Sequence, residues 1–494
     1  MTFTRGKLPA LFLALAALIL LVHSRALGVF YVQDDGYAWV AAHDWGHFYT
    51  GIASDLQYRP NAYLLTHLLS YIAPETAWPL RLTGLALLWC IGALTYVVTR
   101  RLSGNQSLAT IAAMLIVVHP GYYSMATLYL AAVMTGLGVI AVFLGVWAAH
   151  AHAVRPRPAS WGLTFLGLIF ALTSYEAAII VLPLMMGVHY FYSAHPCLRQ
   201  TLLRYAPHIV VTLGYFYLRA TGIAAATATS DIGQYAISES PAIKNAILLL
   251  QSLWGYPMKG DWPSLLPKLM PLLVAVIAGL TWIYGRSRHL QAFWLGAVAW
   301  LVLGLGPFLF MSGQSLHYAF YTVPGFVFLI AMLIQWAFEK SRPVGALLLL
   351  LAVMCSVSLN WSAYRIGHLV SMAYTGENID RQFRQMGLDQ GKHDIVFLNM
   401  DNVLAWRIHF GNSLDQRIPG QRSRFSFPQD ASNTIPAPHD FSTTPIYLYL
   451  EHYRDDPAFV RSRLVNVTGW VKPDQEWRKA PLRLITDEGP QAAT

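Results

Sequence analysis

Apolar runs long enough to cross a lipid bilayer recur along this chain from Leu8 to about Trp361, and that repetition constrains its fold more than any single motif. A spanning helix needs roughly 20 consecutive apolar residues, because the hydrocarbon core is about 30 Å thick and offers the backbone no water to bond. Candidate spans begin near Leu8, Trp78, Ser107, Tyr129, Trp161, Ala177, Pro207, Ile243, Leu265, Gln291, Tyr318 and Val344, about twelve in all. Composition agrees: of 494 residues, 55% are hydrophobic and only 12% charged, where a soluble domain carries about 25%. The expected fold is an all-α polytopic membrane domain over residues 1–362, followed by a small soluble α/β domain over residues 363–494, where no such run occurs. In that tail a helical stretch, about Ile379 to Met386, mixes with strand-like runs His393 to Asn399, Pro445 to Leu450 and Arg463 to Val471.

The net charge of +9 does not point to nucleic acid, because of where it sits. From Ala363 onward 15 Lys+Arg balance 15 Asp+Glu, which leaves 19 bases against 10 acids in the membrane part. Arg5/Lys7, Arg100/Arg101, Arg155/Arg157, Arg199/Arg204, Arg286/Arg288 and Lys340/Arg342 all fall on one side when consecutive spans alternate, and the positive-inside rule makes that side the cytoplasm. The first long loop, about residues 25–61, and the tail then lie outside. The first run, behind Arg5 and Lys7, is long enough to span and reads as an uncleaved signal anchor. Cys90, Cys197 and Cys355 are far apart, lack metal-ligand spacing, and read as packing residues.

The candidate chemistry gathers on the outer side. Adjacent carboxylates Asp34 and Asp35 stand at the mouth of the first span, where ionisable groups are costly and functional by default. Ordinary solvated loop acids remain the alternative. Neighbouring helical residues point about 100° apart, so the two acids cannot serve one atom as equals. Trp39, His43, Trp45 and His47 give the loop an interfacial, aromatic character before Tyr58-Arg59-Pro60. Arg59 suits a lipid phosphate or a snorkelling anchor. Thr173-Ser174-Tyr175-Glu176 places an acid between two apolar runs, where it needs a partner; Arg59, His119 and His317 are on its side. Each histidine also reads as a hydrogen-bonded helix-end residue.

Taken in order, these residues resemble the GT-C superfamily of membrane glycosyltransferases, which includes protein O-mannosyltransferases and the aminoarabinose transferases of lipid A. The ordered set is Asp34-Asp35 after the first span, Tyr58-Arg59-Pro60, His119-Pro120, Ser174-Tyr175-Glu176, and a link from Pro307 to Tyr318 followed by Pro324-Gly325. The resemblance implies an inverting transfer of sugar from a polyprenyl-phosphate donor in the bilayer to a hydroxyl of a glycan, lipid or protein acceptor; the sequence shows no eukaryotic retention signal, which points to a bacterial inner membrane. It implies Asp34 as base with Asp35 as its orienter or alternate, Arg59 and secondarily His317 at the phosphate, and Glu176 and His119 beside sugar or acceptor. Tyr58 and Tyr318 join the substrate-binding set. The residues fix no cofactor; a divalent cation near the acids is compatible with the reading, but a monophosphate-linked donor does not demand one. Two departures stand out: His317 precedes Tyr318 where relatives commonly have arginine, and Tyr175 precedes Glu176 where many have lysine. A transporter or flippase of a lipid-linked sugar, or a non-catalytic polysaccharide-assembly subunit, are the alternative readings, although transporters tend to show internal repeats and none is visible here.

Overall fold

A computed structural model describes residues 7–29, 59–70, 77–227, 288–309 and 316–366, four strands between residues 394 and 486, and a few single positions elsewhere. The chain divides into two compact units. The first comprises Met1–Leu27, Asp44–Leu65 and Leu80–Gly367; the second comprises Gly28–His43, Thr66–Pro79 and His368–Thr494.

The helices are α1 (Lys7–His23), α2 (Pro60–Ser70), α3 (Trp78–Ser103), α4 (Gln106–Val118), α5 (Tyr123–Thr127), α6 (Tyr129–Val154), α7 (Pro158–Ser174), α8 (Val181–Tyr192), α9 (Leu198–Thr227), α10 (Arg288–Leu305), α11 (Val323–Lys340) and α12 (Arg342–Ile366). Six helical stretches among the described residues are long and apolar enough to cross a membrane: Leu8–Gly28, Trp78–Ser103, Ala132–Val154, Leu290–Phe308, Val323–Lys340 and Arg342–Arg365. A seventh results if Gln106–Val118 and Pro120–Thr127, bent by 46°, form one span. Pro158–Ser174 and Glu176–Tyr192 are shorter apolar helices. The chain is therefore a multi-pass α-helical membrane protein.

This accounts for part of the expected twelve. The start near Pro207 lies inside α9, which is not among the six, and the starts near Ile243 and Leu265 fall essentially outside the described residues. The start near Tyr318 needs moving. Residues Leu316–Tyr321 form a 3-10 turn, and the α-helix begins at Val323, with Pro324 in its first turn, where a missing N–H goes unmissed. The sequence reading also passed over α2, whose 11 residues are too few to span.

Within the first unit, α6 packs between α7 and α8, while α11 packs on α4, α10 and α12. Of the most apolar window of α6, 83% is buried, against 17% for α12, so α6 is central and α12 turns its apolar side chains to lipid. Cys355 on α12 is exposed, which corrects the expectation that all three cysteines are packing residues. With lipid outside, helices gain little from hydrophobicity and associate through close van der Waals contact. Gly325 shows how close: a Cβ there would sit 2.7 Å from the Ala297 carbonyl oxygen of α10.

In the second unit four short strands, β1 (Asp394–Leu398), β2 (Arg424–Ser426), β3 (Ile446–Leu450) and β4 (Leu482–Thr486), form a parallel sheet in the order β2-β1-β3-β4. β1 and β3 coincide with two of the expected runs. β2 and β4 were not anticipated, and the expected helix near Ile379 and run near Arg463 fall outside the described residues. β3 reads Ile-Tyr-Leu-Tyr-Leu, the nearly unbroken apolar pattern of a strand inside a parallel sheet.

Replacing Gly325 with leucine should force α10 and α11 apart. The expected destabilisation is about 1–3 kcal/mol, read as a lower unfolding midpoint of the detergent-purified protein; an unchanged midpoint would mean the contact contributes nothing.

Candidate functional site

Two local breaks in the helical pattern build the site. Arg59 precedes Pro60, and the α2 turn closes behind it, with the Ala62 and Tyr63 amides donating to the Arg59 carbonyl at 3.0 and 3.2 Å. Tyr175 is extended (φ −162°, ψ 133°), so α7 stops at Ser174 and the chain restarts as a 3-10 turn over Glu176–Ile180 before α8. The 17 residues of α7 rise only about 25 Å, less than the roughly 30 Å of a hydrocarbon core, so this link does not emerge far from the membrane. Asn61 ties the two breaks together. Its amide nitrogen donates among the Thr173 hydroxyl (2.8 Å), the Ser174 hydroxyl (3.0 Å) and the Phe170 carbonyl (3.2 Å), all at the end of α7.

Across this junction Arg59 and Glu176 form a bidentate ion pair: Nη2 donates to Oε1 at 2.8 Å and Nε to Oε2 at 3.2 Å. The arginine side chain is 3% exposed and the glutamate 29%, so the pair is sealed on the cationic side and open on the anionic one. Nη1 contacts the Met134 sulfur at 2.8 Å, and the guanidinium carbon lies 4.5 Å from the centre of the Tyr175 ring. A cation over an aromatic face in a desolvated setting gains about 2 kcal/mol. Behind Tyr175 stack Tyr321 (6.0 Å, 9°) and Phe308 (6.4 Å, 26°), and Tyr318 lies flat on Phe308 at 4.4 Å. Tyr175 and Tyr321 are both buried. The Tyr321 hydroxyl is buried, meets no hydrogen-bond partner among the described residues, and lies where a Cβ at Gly138 would fall.

Of the residues singled out in the sequence, the structure thus joins Arg59 to Glu176 and places Tyr318 in the aromatic stack beside them. Arg59 is the partner Glu176 required. His119 does something else. It is extended (φ −64°, ψ 127°), as a residue before proline is biased to be, its Nδ1 accepts the Gly121 amide at 3.0 Å, and its ring bonds the Leu253 backbone. It therefore caps the bend between α4 and α5. The backbone of His317 belongs to the 3-10 turn that carries Tyr318 and Tyr321, and its side chain is outside the described set. Asp34, Asp35 and Tyr58 also lie outside the described residues.

Sequence reasoning passed over Arg219, on α9, which is buried and adds a second positive field at Glu176. A signal existed: an arginine at the end of the apolar stretch after Pro207 is as unusual as Glu176, and was not weighed. Tyr321 and Met134 carried no such signal, since an aromatic and a thioether in apolar runs read as ordinary packing.

No protein-family profile matches the sequence, and no curated protein sequence matches it. Among solved structures, the fold is similar to that of ArnT from Cupriavidus metallidurans in the apo state, with 14% identity over 87% of this chain and 86% of that one and a TM-score of 0.49. It is also similar to AglB, the archaeal oligosaccharyltransferase from Archaeoglobus fulgidus, determined with an inhibitory peptide and a dolichol-phosphate. There the identity is 11% over 86% of this chain and 65% of that one, with a TM-score of 0.48.

Removing one member of a buried pair strands the other, at about 3–5 kcal/mol when burial is complete and less here because Glu176 is partly exposed. Glu176→Gln should accordingly lower the unfolding midpoint, and the double change Arg59→Met/Glu176→Gln should recover part of the loss. Additive losses in thermal unfolding would show that the two side chains do not stabilise each other.

Proposed function

We propose that this chain is a membrane glycosyltransferase of the GT-C type, moving a sugar from a polyprenyl-phosphate-linked donor to an acceptor hydroxyl on the non-cytoplasmic side of the membrane. The observation that carries the reading is the bidentate Arg59–Glu176 pair, held among apolar helices at the end of the long loop that bears Asp34 and Asp35. Charges kept in a membrane domain are functional by default, and this pair joins two stretches of the ordered motif set by which the sequence resembles that superfamily.

A sugar on a polyprenyl phosphate is confined to the bilayer, so its transferase needs charged chemistry at membrane depth and an aqueous mouth for the acceptor. In the proposed reaction Asp34 takes the proton of the acceptor hydroxyl while Asp35 orients it. The acceptor oxygen bonds the anomeric carbon as the bond from that carbon to the phosphate oxygen breaks, and polyprenyl phosphate leaves with the electron pair. One displacement inverts the anomeric centre, with positive charge developing on the sugar as in glycoside chemistry. Arg59 and Arg219 give the site a positive field that stabilises the departing phosphate. Glu176 fixes the Arg59 guanidinium and, through its exposed edge, lines the sugar or acceptor side. His119 holds the bend between α4 and α5 in place. Residues 363–494 form a domain on the same side that supports or selects the acceptor.

Purified protein in detergent, given a labelled polyprenyl-phosphate sugar, should release free polyprenyl phosphate only when acceptor is present. No release would leave a flippase or a non-catalytic subunit, neither of which breaks the bond from sugar to phosphate, and equal release without acceptor would mean hydrolysis by water in place of transfer. Asp34→Asn should lower the rate by about 10²- to 10⁴-fold while membrane insertion, followed by fractionation, stays intact. Arg59→Ala should weaken dependence on the donor, seen as a raised donor KM; an unaltered donor titration would remove Arg59 from that role.

A further inference from the structure

A second polar cluster lies at the opposite end of the same helices. From Met134 to His150 on α6 is about 24 Å of helix, and there the ends of α6 and α8 meet the start of α9. The His152 and His189 rings stack with centroids 5.5 Å apart, and the Tyr205 ring lies 5.7 Å from His189 and 4.9 Å from His208. An Nη1 of Arg204 donates to His189 Nε2 at 3.0 Å. Arginine only donates, so Nε2 carries the lone pair and Nδ1 the proton. That Nδ1–H and the Tyr205 hydroxyl are buried with no hydrogen-bond partner among the described residues.

Among the described residues the seam holds donors and a cation but no counter-charge. Between Ala77 and Ser230 the sole acid in the sequence is Glu176, at the far end. Arg204 is the fixed charge acting on His152, His189 and Tyr205, and among the described residues no acid acts on any of them. Arg204 is itself exposed, next to a face of α9 on which Leu203, Val210 and Leu213 are 64%, 67% and 64% exposed. A cation at the head of an apolar, lipid-facing strip lacks one thing, an anion attached to hydrocarbon.

We propose that this seam is the headgroup site of an anionic phospholipid, whose phosphate accepts from Arg204 and the donors beneath it and whose acyl chains lie along Leu203, Val210 and Leu213. A net negative headgroup is specified because, among the described residues, the seam offers no acid to pair with the ammonium of a zwitterionic lipid. Basic pockets between membrane helices bind acidic headgroups in this way. The site is separate from the Arg59–Glu176 junction, and its test does not depend on any transferase activity.

The full-length protein in non-ionic detergent, offered phosphatidylglycerol and phosphatidylcholine in equal amounts, should retain phosphatidylglycerol selectively when read by native mass spectrometry. Arg204→Gln should reduce that retention about fivefold, the factor equivalent to about 1 kcal/mol for one basic residue at an anionic surface. Arg204→Lys should keep most of it, which separates loss of charge from loss of fold. Arg199→Gln, in the same basic segment, should leave it unchanged. Equal losses for Arg199→Gln and Arg204→Gln would overturn the proposal in favour of diffuse charge. Equal retention of both lipids would overturn it outright, as would full displacement by inorganic phosphate at constant ionic strength, which would mark a free-phosphate site.

Discussion

An ion pair inside a membrane domain survives only if everything its two charges lose on leaving water is replaced locally, and the Arg59–Glu176 pair shows how completely that is done here. The carboxylate takes two N–H groups in parallel, the third nitrogen of the fork meets a sulfur, and the flat face of the guanidinium rests on Tyr175. Arginine alone among the cations supplies that planar fork, so a lysine at residue 59 would satisfy one oxygen at best. The consequence reaches beyond the pair. Glu176 is positioned by the stop of α7 at an extended Tyr175, and Arg59 by the start of α2 at Pro60, so the ion pair and the Asn61 bonds fasten two chain breaks to each other. Were α7 to continue helically through Tyr175, that ring would rotate away from Arg59 and the carboxylate would turn with it.

Much of the fold is written in the hydropathy pattern because lipid permits few alternatives. A run such as Leu8 to Gly28 cannot be a loop in hydrocarbon, since its amides would go unbonded, and it cannot be an open strand for the same reason. What the pattern does not encode is where a span stops being regular. The bend at His119-Pro120 lies within a stretch that passes as one apolar span, and Tyr318-Ala-Phe-Tyr321 is apolar enough to read as the start of a helix although it forms a 3-10 turn, so the α-helix begins later than the hydropathy suggests. The short tail strands are hard to see for a different reason: three residues, Arg424–Ser426, contain no periodicity to read.

The site was legible in proportion to how expensive its residues are. Glu176 stands out because a carboxylate in an apolar run demands an explanation, and Arg59 because it abuts one. Their pairing spans 117 positions and is a property of the helix packing, which no local pattern carries. Arg219 was as legible as Glu176 by the same physical rule. Tyr321 was not legible at all: its importance comes from a hydroxyl without a partner and from a glycine, Gly138, that makes room for it, both consequences of how α6 meets the turn before α11.

Polarity in this membrane domain is segregated by end, and the two ends follow opposite electrostatic rules. Around Glu176 one acid is present and two arginines act on it, so the pair with Arg59 is closed while one positive charge remains in excess beside the exposed edge of the carboxylate. At the other end of α6 and α8, histidines and an arginine are arranged with no acid acting on them among the described residues, so the donors there are left for an outside anion. Ends so different cannot exchange roles by inverting the chain in the bilayer. The same scarcity of acids between Ala77 and Ser230 that makes Glu176 conspicuous gives Arg204 no acid from its own stretch to pair with. Helices that carry a single carboxylate between them can match it to a cation at one end only, and at the other the proposed lipid phosphate takes the acid's place.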